Sequence, residues 1–112
     1  VININPARVG GYLEARAIHD LCLAQGIPVW CGGVLETAIG RAANLQLASL
    51  PGFTLPSDIS ATKRYYHRDI GQEFHLESGT INVPEGPGTG VVLHIDYLES
   101  VTVDHEYVRV GH

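Results

Sequence analysis

The sequence predicts an α/β fold: three short parallel strands alternating with two helices over residues 1–66, then a differently patterned segment, residues 67–112, built around a hairpin. Three observations carry that prediction. Apolar and polar residues alternate from Val1 to Asn5, two longer segments place apolar residues at helical spacing, and each of those segments ends in glycine or Pro-Gly before a brief apolar run. Strand, helix, strand, helix, strand with short connections is the pattern of a parallel sheet.

The first strand should finish near Asn5, because Pro6 forces the residue before it toward extended geometry. A turn through Gly10-Gly11 leads to a helix from Tyr12 to Gln25, with Leu13, Ala17, Ile18, Leu21 and Ala24 on one face, Glu14, Arg16 and Asp20 off it, and Gly26 as its C-cap. Ile27 to Cys31 reads as a second strand, with Pro28 tolerated near its start. Gly32-Gly33 breaks it. A helix rich in small residues follows from Thr37 to Leu50, closed by Pro51-Gly52. Phe53 to Leu55 is a third short strand, and Pro56 to Tyr66 a polar loop. Beyond residue 70, Glu73 to Leu76 and Thr80 to Val83 alternate around Glu77-Ser78-Gly79, which predicts an antiparallel hairpin. A Gly/Pro-rich stretch then precedes a strand-like apolar run from Val91 to Leu98.

Composition excludes several function classes. Twelve acidic against seven basic residues give a net charge of −5, so a nucleic-acid backbone meets net repulsion. No apolar run is long enough to span a bilayer, and no membrane role is expected. Cys22 and Cys31 form neither a CxxC pair nor a dense cysteine framework, which points to free buried thiols and a cytoplasmic location. The six histidines show no paired metal-ligand spacing and are expected to be solvated or satisfied in the core. Gly86 to Gly90 resembles a phosphate loop in glycine count alone, since no helix start is expected after it.

Two helices and three strands close a core poorly, whereas a complete (β/α)₈ barrel uses eight such units and roughly 250 residues. The chain also opens at Val1, without Met and inside a strand pattern, so it is expected to be part of something longer. Specific motifs support this. Asn3-Ile4-Asn5-Pro6-Ala7-Arg8-Val9-Gly10-Gly11 with Leu13-Glu14-Ala15-Arg16, then Gly26-Ile27-Pro28-Val29-Trp30-Cys31-Gly32-Gly33, then Leu35-Glu36-Thr37 and Gly40-Arg41-Ala42-Ala43-Asn44, then Phe53-Thr54-Leu55-Pro56 with Asp58, Ser60 and Arg64-Tyr65-Tyr66, occur in one order. Together they resemble the sixth, seventh and eighth strands, with their loops, of enolase-superfamily barrels of the o-succinylbenzoate synthase and N-acylamino acid racemase group. The resemblance covers about residues 1–90.

The resemblance implies a TIM barrel of which this chain supplies about three βα units, and a Mg²⁺-dependent lyase or isomerase acting on a small carboxylate. In such enzymes a lysine removes the proton α to the carboxylate, and the metal stabilises the enediolate that forms. Two departures stand out. The acidic metal ligands and one of the two lysines belong to earlier strands, so no metal ligand or cofactor is expected in this chain alone. The other lysine belongs where Asn5 stands, and an amide cannot serve as a general base near neutral pH.

Asn5 is thus either a retained active-site position or a cap on the strand-end turn. Gly32, Gly33 and Val34, at a strand's C-terminal end, would border the substrate or form a plain tight turn. Asp58 would line the pocket or serve a turn, and Tyr65 would supply an aromatic wall or pack in the core. Arg8 and Glu36 would support the site, the alternatives being a structural ion pair for Arg8 and a favourable acid at a helix N-terminus for Glu36. The leading expectation is a barrel fragment inactive in isolation. The second is a non-catalytic homo-oligomer that covers its open sheet edges.

Overall fold

A computed structural model of the protein describes residues 1–111, leaving His112 and its expected solvation outside the described residues. Strand β1 (Ile2–Asn3) pairs in parallel with β2 (Val29–Trp30), in the register Ile2 to Val29 and Asn3 to Trp30. Both strands are shorter than the sequence implied. The pairing runs on one step further through the Ile4 N–H, which donates to Trp30 O at 2.9 Å. The expected third strand does not form a regular ladder. Its segment touches β2 through one isolated parallel bridge, Val29 to Phe53, and a second, Gly32 to Asp58, joins the stretches just beyond each. Pro51 and Pro56, which lack amide donors, flank it and leave little room for a longer ladder.

Between the strands lies a helix the sequence reading did not foresee, α1 (Pro6–Val9). Pro6 has the φ a first helical residue needs, the Asn5 side chain accepts from the Ala7 N–H, and Gly10 at φ 92° closes the turn. Helix α2 (Tyr12–Ala24) has nearly the expected limits, but it is rotated. Ala15, His19 and Cys22 are buried with Ile18 packed beside them, whereas Leu13 and Leu21 are 89% and 65% exposed. The face predicted to be buried is therefore largely the outer one. The polar residue that misled the pattern is His19, which is fully satisfied inside: Nε2 accepts from the Gly52 N–H at 2.9 Å, so Nδ1 carries the proton and donates to Asp20 Oδ1 at 2.9 Å. Its ring stacks on Phe53 with centroids 5.4 Å apart. A Cβ at Gly52 would come within 2.6 Å of Nε2, so glycine there admits the ring.

Helix α3 (Ala38–Ala48) joins two cores. Leu47 packs with Ile4, Ala15, Cys22 and Val29 beneath the sheet, while Ala38, Ala42 and Leu45 pack against Phe74, Ile59, Ile81 and Val91. Small side chains allow that close approach on both sides. A buried ion pair fixes the second contact: Arg41 Nη1 lies 3.2 Å from Asp69 Oδ2, and Asp69 Oδ1 accepts from the Ala38 and Ile70 N–H groups, each at 2.8 Å. Asp69 thereby caps α3 from 31 residues away, where the N-cap residue Thr37 makes no side-chain cap of its own.

The segment after residue 66 departs from expectation in two places. Glu77 and Thr80 exchange both backbone hydrogen bonds around Ser78 and Gly79, each with positive φ, so the tight turn forms, but no ladder extends from it. The apolar run from Val91 is extended only as far as a single antiparallel bridge between Leu93 and Gly71, after which α4 (Ile95–Val101) begins. The polar loop contains a 3₁₀ turn, Thr62–Arg64. Cys22 and Cys31 are free and buried, and no helix among the described residues is long and apolar enough to cross a membrane.

Candidate functional site

Parallel register places Asn3 beside Trp30 on one face of the small sheet, opposite the face on which Ile4 and Val29 enter the core. Asn5 follows Asn3 by two residues and shares its face. Both amides close on one residue, Gly32, just beyond β2. Asn3 Oδ1 accepts from the Gly32 N–H at 2.8 Å, and Asn5 Nδ2 donates to the Gly32 carbonyl at 2.7 Å. A Cβ at Gly32 would lie 2.7 Å from the Asn3 amide, so any larger residue would displace that side chain from its bond to the Gly32 N–H. Asn5 is buried, caps the first turn of α1 through the Ala7 N–H and braces the loop through the Gly32 carbonyl.

The loop is pinned again at each following residue. The Gly33 N–H donates to Asp58 O at 2.8 Å, and a Cβ at Gly33 would collide with that carbonyl. The Val34 N–H donates to both carboxylate oxygens of Glu36, at 3.0 and 2.9 Å. Glu36 also accepts from Asn44 Nδ2 at 2.8 Å, and the Tyr12 hydroxyl approaches Asn44 Oδ1 at 3.4 Å. Glu36 therefore braces the loop rather than lying within the first turn of α3. Burial, reinforced by the Glu36 carboxylate, pushes the Cys31 thiol up to about 11, which keeps it protonated and unreactive at neutral pH. Burial, then Cys31 and Glu36, also raise the Tyr12 phenol.

The remaining candidates lie further out. Val34 exposes its side chain beside the loop, and Asp58 contributes its backbone to the sheet end while its side chain stays exposed. Tyr65 is exposed, with the Arg64 guanidinium 5.6 Å from its ring centre, so it is not a core residue. Arg8 is exposed and makes no ion pair among the described residues. Sequence reading missed Asn3, Asn44 and Tyr12 as parts of this network. The alternation that puts Asn3 and Asn5 on one face was visible, and so was the polar Asn44 set in an alanine-rich helix, but their partners lie 29 and 8 residues away.

The donor set does not suit a divalent cation. Glu36 is occupied by Val34 and Asn44, and no group of three or more His, Cys, Asp or Glu residues among the described residues converges as a metal site would require.

Parallel strands with helices packed on one face and a polar cluster at their C-terminal ends make this an α/β segment of the kind from which barrels are built. The chain belongs to the enolase C-terminal domain-like family, which it matches over residues 1–97. It is 59% identical over 102 residues to an N-succinylamino acid racemase from an Amycolatopsis species, covering 91% of this chain and 28% of the racemase. To an o-succinylbenzoate synthase of Bacillus subtilis it is 50% identical over 99 residues, covering 88% of this chain and 27% of the synthase. A crystal structure of an enolase-superfamily member from Listeria innocua superposes with a TM-score of 0.84 at 43% identity, over 88% of this chain and 27% of that one. The chain thus spans little more than a quarter of the length of these relatives.

Proposed function

We propose that this chain forms the last three βα units of a barrel that removes the proton α to the carboxylate of a small substrate, as o-succinylbenzoate synthases and N-succinylamino acid racemases do, and that Asn5 leaves that barrel without one of its two bases. The observation that carries the reading is the position of Asn5: on the polar face of the sheet, at the C-terminal end of β1 and against the loop after β2. The family lysine belongs at that point. A carboxamide is too weakly basic to take up a proton near neutral pH, so Asn5 can orient groups there but cannot accept a proton from carbon. Mg²⁺, when bound in the complete enzyme, supplies charge stabilisation of the enediolate, with its ligands outside this chain. Gly33 and Val34 border the substrate, with Asp58 and Tyr65 at the rim and Arg8 in a supporting role. The free buried cysteines agree with a reducing, cytoplasmic setting.

The test is Asn5→Lys in a protein that also carries the earlier barrel strands, read by solvent deuterium exchange at the substrate α-carbon. General-base catalysis is worth about 10²–10⁴-fold, so racemisation should rise by at least ~100-fold. Equal rates with and without the substitution would overturn the assignment of Asn5.

A second reading, a non-catalytic module that self-associates, draws on the exposed Leu13 and Leu21 of α2 and on β1, which pairs with β2 alone among the described residues. Sedimentation equilibrium separates the two: a monomer at all concentrations rules out self-association.

A further inference from the structure

The loop after β2 is held by one side chain that neither belongs to it nor faces the substrate side of the sheet. Asn44 is buried in the middle of α3, and its Nδ2 donates to Glu36 Oε1 at 2.8 Å. That bond orients the carboxylate whose two oxygens receive the Val34 N–H. Glu36 has few other restraints on its position. Its stem lies against Gly40, where a Cβ would come within 2.9 Å of Cγ, so the helix leaves a groove for the stem and Asn44 fixes the head. Behind Asn44, the Tyr12 hydroxyl at 3.4 Å brings α2 into the same chain of contacts. Helix α2, helix α3 and the strand-end loop therefore meet through a single carboxamide.

We propose that Asn44 is a positioning residue: it holds Glu36 on the Val34 N–H and so sets where Gly33 and Val34 stand against the substrate. The proposal rests on the functional reading above, in which that loop borders the substrate. The physical argument is one of valence. Glu36 offers acceptors only, and two carboxylate oxygens shared by one backbone N–H would be free to swing unless a second donor fixes them. Asn44 supplies that donor from a rigid helix, and the carboxamide oxygen on its other side remains for Tyr12. An aspartate of the same shape would present oxygen in place of N–H and set a like charge against Glu36.

The test uses the full chain in two measurements. Amide exchange in Asn44→Leu should show the Val34 N–H exchanging at least about tenfold faster, while amides in the core of α2, such as Cys22, keep their rates. Asn44→Asp is the second variant, since it keeps the side-chain shape if the leucine is not tolerated, and it should accelerate Val34 exchange at least as much. Tyr12→Phe should have a smaller effect, about twofold, as suits its longer contact. In the complete enzyme carrying Asn5→Lys, Asn44→Asp should raise KM by about tenfold and change kcat by less than about threefold. A merely structural role would lower the fraction of folded enzyme, reducing kcat and leaving KM alone. Unchanged Val34 exchange in both Asn44 variants would overturn the assignment of Asn44. No turnover in the Asn5→Lys enzyme would instead overturn the functional reading, and with it the catalytic consequence of Asn44, while the exchange rates would still decide whether Asn44 holds the loop.

Discussion

Asp69→Ala tests the contact on which the second core depends. In the native chain the Asp69 carboxylate is fully buried, and Arg41 is 1% exposed, with no partner for Nε or Nη2 among the described residues. Removing the carboxylate leaves the buried guanidinium with one hydrogen-bond partner among the described residues, Thr62 Oγ1 at 3.4 Å. Breaking a buried pair from one side costs about 3–5 kcal/mol, because the surviving charge is uncompensated. The Ala38 and Ile70 N–H groups lose their acceptor as well, which adds about 1 kcal/mol for the helix cap. Together these come to about 4–6 kcal/mol, a large part of a typical domain stability of about 5–15 kcal/mol. Urea denaturation of wild type and variant, followed by circular dichroism, measures the difference. Asp69→Asn should lose less, since its Oδ1 keeps accepting from the two backbone groups. The double variant Arg41→Met with Asp69→Leu should also lose less than Asp69→Ala, as no charge is then buried alone. A loss below about 1 kcal/mol in Asp69→Ala would refute the argument, showing that Arg41 finds other acceptors at little cost.

Gly33→Ala should destabilise the chain by about 1–3 kcal/mol, because its Cβ collides with the Asp58 carbonyl and the parallel contact between those segments must open; thermal unfolding measures it. His19→Phe keeps an aromatic ring against Phe53 but strips the Gly52 N–H of its acceptor, with an expected cost of about 1–3 kcal/mol in urea denaturation. The Cys31 thiol is raised to about 11 in the folded chain, so between about pH 9 and 11 the unfolded chain releases that proton while the folded chain retains it. Stability should therefore fall as pH rises through that window, by up to about 1.4 kcal/mol per pH unit, with Tyr12 acting in the same direction. Cys31→Ala should flatten the decline in a pH series of urea midpoints.

The order of elements was legible because glycine and proline punctuate it, and the limits of α2 and α3 agree with the expected helices to within two residues. The orientation of α2 was not. A hydropathy pattern counts His19 as polar and Leu13 and Leu21 as apolar, yet burial is decided by what lies opposite. A histidine whose two nitrogens meet Gly52 and Asp20 sits comfortably inside. Strand lengths were overestimated because alternation marks extended backbone, and only a paired neighbour turns that into a ladder. The helix α1 was hidden in the motif that carries the family resemblance: Asn5 and Pro6 are a capping residue and a first-turn proline as well as a strand-end pair. The placing of Asn5, Gly32 and Gly33 at strand ends was readable from sequence, whereas the Asn44 and Glu36 contact required the helix to be in place.

The two bonds of Asn5 set a condition on placing a basic residue there. A carboxamide gives and receives at once, toward Gly32 O and from the Ala7 N–H, whereas an ammonium group can only give. Lysine at that position would keep the first bond at most and leave the first turn of α1 uncapped. A residue that must take up a proton also has to be free to move and to change charge, and Asn5 does neither. On the reading proposed above, Asn5 provides rigidity where a base would provide reactivity, so Asn5→Lys should loosen the chain just where the strand turns into the loop.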